Sequence, residues 1–272
     1  MTKPGSSLYL INHGDIGARL GSHLDRGCRR AAQRPLVFFR ADDIGVPSRS
    51  FAQLITCFQK HRLPLCLATV PAWLTAARLQ ELRRLTGTGS AQWCWHQHGW
   101  VHRNFETSGK KQEFGPARTK SALSASLRQG KERLTKLLDT DFHPVFTPPW
   151  NRCGSDTLQA LVDLHFTAVS RSKGARPETL AALPEYQVNV DLHTRKESIP
   201  ELALENLLRE LEQAIASGLC GIMLHHQRMN RAALLVLDIL LGLIAGNKKL
   251  LPVHFGDLAA GRQAQSNKSA IA

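Results

Sequence analysis

Short, continuously apolar runs alternate with helically spaced stretches along almost all of this 272-residue chain, and that alternation constrains its fold more than any other feature. Runs with strand character cover 36–41, 63–70, 92–98, 145–148, 167–170, 188–192, 221–225 and 251–255. Between them, 50–61, 73–85, 118–138, 155–164, 201–217 and 231–245 carry helical spacing. Strands without polar alternation are expected where helices cover the sheet, as in parallel α/β folds. Seven or eight such units in series predict a parallel barrel or a doubly wound sheet. The first 30 residues show no clear period, and no repeat or linker stands out. The reading is one barrel over 35–260, with an N-terminal extension (1–34) and a polar tail (261–272).

Composition narrows the function. The formal charge is +13, with seven Lys/Arg against two acids in 1–40 and nine against four in 101–140. Such stretches usually face water, though they also suit attraction to an anionic partner. Nucleic acid is disfavoured, because the basic stretches lack interleaved aromatics. No run is long and apolar enough to span a bilayer, and 232–245 is broken by Asp238. The start of the chain lacks the apolar core of a secretion signal. The six cysteines form no CxxC pair and read as reduced thiols, which favours the cytoplasm.

Residues that carry chemistry cluster at one end of the strand-like runs. Asp42, Asp43, His98, His102, Trp150, Asp191 and His225 all fall at or just beyond C-terminal strand ends, where α/β sheets and barrels build their sites. Two imidazoles from His98 and His102 plus a carboxylate from another strand would make a three-ligand site with an open position for water. Zinc suits that donor set, as do iron, cobalt and nickel. Taken singly, each feature has a plainer meaning. His98 and His102 equally suit a helical turn at the surface, and Asp42-Asp43 before Ile44-Gly45 suits a turn or a helix cap.

In order and spacing, Arg40-Ala-Asp-Asp-Ile-Gly45, His98-x-x-x-His102, Thr147-Pro-Pro-Trp150, Asp191 and Leu224-His225 resemble the five motifs of the polysaccharide deacetylase superfamily (NodB-like, carbohydrate esterase family 4). The resemblance spans about residues 36–227. It implies a distorted (β/α)7 barrel, the NodB homology domain, which removes N-acetyl groups from amino sugars with one divalent metal ion. It makes Asp43, His98 and His102 the metal ligands, Asp42 the general base and His225 the general acid. Asp191 becomes the carboxylate orienting that acid, and Trp150 a wall of the acyl pocket. Asn151, Arg152, His226, Glu113 and Arg118 are further substrate-contact candidates. Adjacent strand residues point to opposite faces, so Asp42 and Asp43 can serve one site only where the strand breaks, as Gly45 permits.

Three departures from the family pattern stand out. Ile44 intervenes between the aspartates and Gly45. Thr147 stands where an arginine usually pairs with the catalytic aspartate, and Arg152 is the candidate replacement cation. No secretion signal is visible. His96 shares the strand face of His98 and is a second-choice ligand. The expected substrate is a cytoplasmic N-acetylated sugar bearing phosphate, with Lys110, Lys111 and Arg118 as phosphate contacts. Hydrolysis of another non-peptide amide, such as a formamide, and a barrel that binds sugar without turnover are the alternative readings. Oligomeric state is left open by the sequence.

Overall fold

The computed structural model of the protein describes residues 6–10 and 14–261. Residues 262–272, nearly all of the expected tail, lie outside the described residues, as does His13. The chain divides into two compact units.

The first unit gathers the described residues of 1–42, 47–65 and 188–253. It holds helices α1 (Ile16–Arg30), α2 (Arg49–His61), α6 (Pro200–Ala216) and α7 (Arg231–Gly246). Its strands are β1 (Leu36–Ile44, as far as Asp42), β6 (Val190–Asp191), β7 (Leu219–Leu224) and β8 (Leu251–Pro252). β1 runs parallel to β7 from Leu36↔Leu219 to Ala41↔Leu224, and it also pairs in parallel with β8. β6 lies parallel to β7 through Val190↔Ile222. Val37, Phe38, Phe39 and Ala41 are fully buried, as a continuously apolar strand requires.

The second unit gathers 43–46, 66–187 and the described residues from 254 onward. It contains β2 (Leu65–Thr69, from Cys66), β3 (Trp93–His98), β4 (Phe142–Thr147) and β5 (Ala168–Val169), ordered β5-β4-β3-β2. Its helices are α3 (Ala76–Thr86), α4 (Lys120–Leu138) and α5 (Ser155–Asp163). β3 pairs in parallel with β4, with a register shift after His96, and β4 in parallel with β5. Phe114, Leu127, Phe146, Leu161 and Phe166 centre its core.

Side-chain caps explain where helices begin. Ser48, Thr75, Thr119 and Asn230 each accept a backbone N–H from the first turn of α2, α3, α4 and α7. The cap at Thr75 starts α3 three residues later than the apolar spacing from Trp73 suggests. All eight expected strands and all six expected helices are present, and both units carry the parallel strands and helices of the α/β class.

One element departs from expectation. Residues 16–30, which lack an obvious period, form α1. Its buried stripe is narrow: Ile16, Leu20, Leu24 and Gly27. The stripe packs chiefly on α6, and there Gly27 matters, since a Cβ would sit 2.8 Å from the Ile215 side chain and 2.9 Å from the Glu212 carbonyl oxygen. Gly27→Ala should therefore destabilise the protein by about 1–3 kcal/mol through overpacking. Urea unfolding measures this, and an unchanged midpoint would show that α1 can shift away from α6 without cost.

All six cysteines are free, and five of them are buried. Among the described residues, no helix is long and apolar enough to cross a membrane.

Candidate metal centre

The C-terminal half of β1 reads Arg40-Ala-Asp42-Asp43-Ile44. Residues two apart on a strand share a face, and Arg40 uses this to grip Asp42. Nε donates to Oδ1 at 2.8 Å and Nη2 to Oδ2 at 2.9 Å, with both side chains buried. A two-toothed guanidinium–carboxylate contact of this kind is among the strongest charged hydrogen bonds. The cation beside Asp42 is thus Arg40. Arg152, in the second unit, donates from Nη1 to the Lys111 carbonyl at 3.3 Å.

Strand alternation then fails at one residue. Asp43 has φ of 65°, a left-handed backbone that turns its side chain out of register, so the break falls on the aspartate itself, two residues before Gly45. Its Oδ1 lies 3.3 Å from His98 Nε2 and 3.0 Å from His102 Nε2. One ligand atom from each of the three residues falls within 4.8 Å of the others. The histidine geometry fits a cation at that point. His98 Nδ1 bonds the Thr147 carbonyl at 2.9 Å, and a carbonyl only accepts, so Nδ1 carries a proton. In the neutral ring, Nε2 then directs a lone pair toward the carboxylate, an arrangement that a bound cation resolves. Burial opposes charge on Asp43, yet the two imidazoles hold its carboxyl far below the usual range. Burial likewise works against His102, and Asp43 outweighs it and raises that imidazole above its ordinary value.

Thr147 organises β3 twice over. Its carbonyl holds His98, while its hydroxyl meets His96 Nε2 at 2.9 Å. His96 is fully buried and packs edge-on against Phe255, away from the three-residue cluster. It is not a replacement ligand.

The chain between His98 and His102 is shaped by Glu113. Its carboxylate accepts the backbone N–H groups of Trp100, Val101 and His102 at 3.1, 2.8 and 3.0 Å. Gly99 makes room, having φ of 61° and a position where a Cβ would meet Glu113 Oε2 at 2.3 Å. Burial pushes the Glu113 carboxyl up, against the pull of those N–H donors. Arg118 is likewise engaged within the protein. It donates to the Ala122 carbonyl and Ser126 Oγ, and stacks 4.4 Å over Phe105. Both candidates thus brace the loop.

Two indoles flank His102: Trp150 at 4.7 Å and Trp73 at 5.5 Å between ring centroids. Trp73, noticed in the sequence only as a helix start, is one of the residues that sequence reasoning missed. Trp150 and Asn151 both have positive φ, 57° and 59°. Consecutive non-glycine residues in that region cost about 1–3 kcal/mol each and concentrate at functional sites.

The remaining candidates lie in the first unit. Asp191, at the end of β6, accepts the backbone N–H groups of His193 and Thr194 at 3.0 and 2.8 Å, and the Thr194 hydroxyl. Among the described residues it makes no hydrogen bond with the His225 ring. His225 instead donates its backbone N–H to His193 Nδ1 at 2.9 Å. His193 is buried, and burial, reinforced by His225, His226 and Arg228, pushes its pKa down to about 3. It is therefore a neutral acceptor that fixes the backbone of His225. Its sequence signal was proximity to Asp191. His226 is buried and meets Phe51 edge-on at 5.9 Å, so it is no surface residue.

A second set of ligand types, Cys57, His61 and Asp238, meets between α2 and α7. Lys60 Nζ bonds both Asp238 oxygens at 2.8 and 2.7 Å, and burial, followed by Asp238, pushes the Cys57 thiol up to about 12. Those features describe an ion-paired helix contact.

No protein-family model matches the sequence, and no curated protein does. Solved structures do match. A protein from Mycobacterium smegmatis assigned as a polysaccharide deacetylase superposes with a TM-score of 0.59 at 18% identity, over 80% of this chain and 78% of that one. The family 4 domain of a multidomain xylanase, from the hindgut metagenome of Trinervitermes trinervoides, gives 0.53 at 11% identity, over 84% and 91%. A peptidoglycan N-acetylglucosamine deacetylase gives 0.50 at 11%, over 77% and 81%. At such identities the likeness establishes the fold, and the fold is that of the polysaccharide deacetylases, the distorted (β/α)7 type that the motif order implied.

Proposed function

We propose that this protein is a metal-dependent carbohydrate deacetylase that hydrolyses the N-acetyl group of an amino sugar. The observation that carries the reading is the convergence of Asp43, His98 and His102 on one point, in a chain with the deacetylase fold. A divalent ion held by these three side chains, with zinc the best chemical match, supplies Lewis acidity toward a water and an acyl oxygen.

The protein's own groups do the rest. Asp42 takes the proton of the attacking water, and His225 returns a proton to the departing amine nitrogen. Arg40 holds the Asp42 carboxylate in place by two hydrogen bonds, while His193 holds the backbone that presents His225. Trp150 and Trp73 exclude water around His102, which strengthens each electrostatic contact there.

Acetate release from N-acetylglucosamine oligomers by protein loaded with zinc tests the reading. Asp42→Asn and His225→Ala should keep the metal and lose on the order of 10²–10⁴ in turnover, the usual worth of positioned proton transfer. Near-normal rates in either variant would remove that residue from the scheme. Sugar binding without acetate release would identify a barrel that binds and does not turn over.

A further inference from the structure

Beyond Trp150, the second unit opens into a cavity of about 490 Å³. Its charged lining is uniformly cationic: Lys110, Arg152, Lys173 and Arg176. Gln112, Asn151 and Ser172 add hydrogen-bonding groups, and no carboxylate lines the wall. Neither Lys110 nor Lys173 has an ion-pair partner among the described residues, and Arg176 pairs with exposed Glu178 outside the cavity. These cations come from two separated stretches, 110–112 and 150–152, and from the turn 172–176 after β5, so their convergence is a product of the fold. Trp150 ties the cavity to the candidate centre, because this residue lines the cavity and its indole lies against His102. Like-charged side chains gathered around one concave space repel one another unless an anion joins them. A volume of this size holds a sugar-sized group.

We propose that this cavity is an anion subsite, which receives an oxyanionic group, phosphate or carboxylate, carried by the sugar whose acetamido group is hydrolysed. The proposal rests on the deacetylase reading and adds the substrate class to it. Trp150 would divide the two tasks, with the acetamido end on the His102 side and the anion among Lys110, Arg152, Lys173 and Arg176. Lys111 and Arg118, which the sequence alone grouped with Lys110, do not line the cavity.

The test compares zinc-loaded wild type with Lys110→Ala/Lys173→Ala, a pair of exposed side chains whose loss leaves the core intact. N-acetylglucosamine, its 6-phosphate and N-acetylmuramic acid serve as neutral, phosphate and carboxylate substrates. At low salt at least one anionic sugar should show kcat/KM about tenfold above the neutral one, carried mainly by KM. The preferred anion identifies the source. The advantage should vanish in the double variant and in 1 M salt, where the screening length falls to about 3 Å. Equal kcat/KM for all three sugars at low salt would overturn the subsite and leave the deacetylase intact. If no sugar is hydrolysed, the deacetylase reading fails alone, and titration calorimetry with N-acetylglucosamine 6-phosphate decides the subsite. Saturable binding lost in the double variant supports it, and no binding overturns it.

Discussion

His98→Ala should abolish stoichiometric binding of a divalent ion, and hydrolysis with it. The buried His98 ring is aimed by a bond from Nδ1 to the Thr147 carbonyl, which turns its Nε2 toward Asp43 Oδ1 at 3.3 Å. Removing it leaves one imidazole and one carboxylate, too few for the three protein ligands that catalytic zinc sites keep. Asp43→Asn should act in the same direction by removing the only negative charge among the three. Asp42→Asn, whose carboxylate is held by Arg40, should retain about one ion per chain. Elemental analysis of protein purified without chelators reads all three. Full occupancy in His98→Ala would show that the ligand assignment is wrong.

Arg40→Met should be the most destabilising single change in β1. The guanidinium is fully buried and meets both oxygens of a carboxylate that is 3% exposed. Taking away one partner leaves an uncompensated charge in the interior, at a cost of about 3–5 kcal/mol. Adding Asp42→Asn to Arg40→Met should recover part of that loss, because the amide removes the stranded charge. The coupling from a double-mutant cycle in urea then measures the pair. Additive losses would refute the idea that Arg40 exists to serve Asp42.

Much of this was legible in the sequence for reasons that can be stated. Continuous apolar runs mark strands buried under helices, and polar residues at their ends mark the face where backbone leaves the sheet. That logic gathered Asp42, Asp43, His98 and His102 as candidates, and the choice of Asp43 over Asp42 as a ligand came from the family resemblance. The logic failed where the deciding contact is long-range or rests on a small residue. α1 was invisible because part of its stripe is a glycine whose value lies in Ile215 and Glu212, nearly 190 residues away. Glu113 and Arg118 were read as substrate contacts, since exposed-looking charge in a polar loop gives no hint that backbone N–H groups will claim it. Arg40 was different. It sat two residues before Asp42 on a strand, and alternation alone places both on one face. Arg152, downstream of the third motif, was the candidate cation in the sequence instead.

The Glu113 clasp also has a bearing on how such a protein could diversify. A single carboxylate pins residues 100–102, and Asn104 closes the same excursion by accepting the Gln112 N–H at 2.9 Å. What lies between, 105–111, is a tethered insert, and its tip carries Lys110 toward the cationic cavity. Lengthening a tethered insert costs little, about 0.6 kcal/mol for each doubling. The tip can therefore be rewritten, in the laboratory or by descent, while the anchor points and the histidines beside them stay in place. On the proposed reading, substrate choice and metal chemistry would then be separately heritable traits.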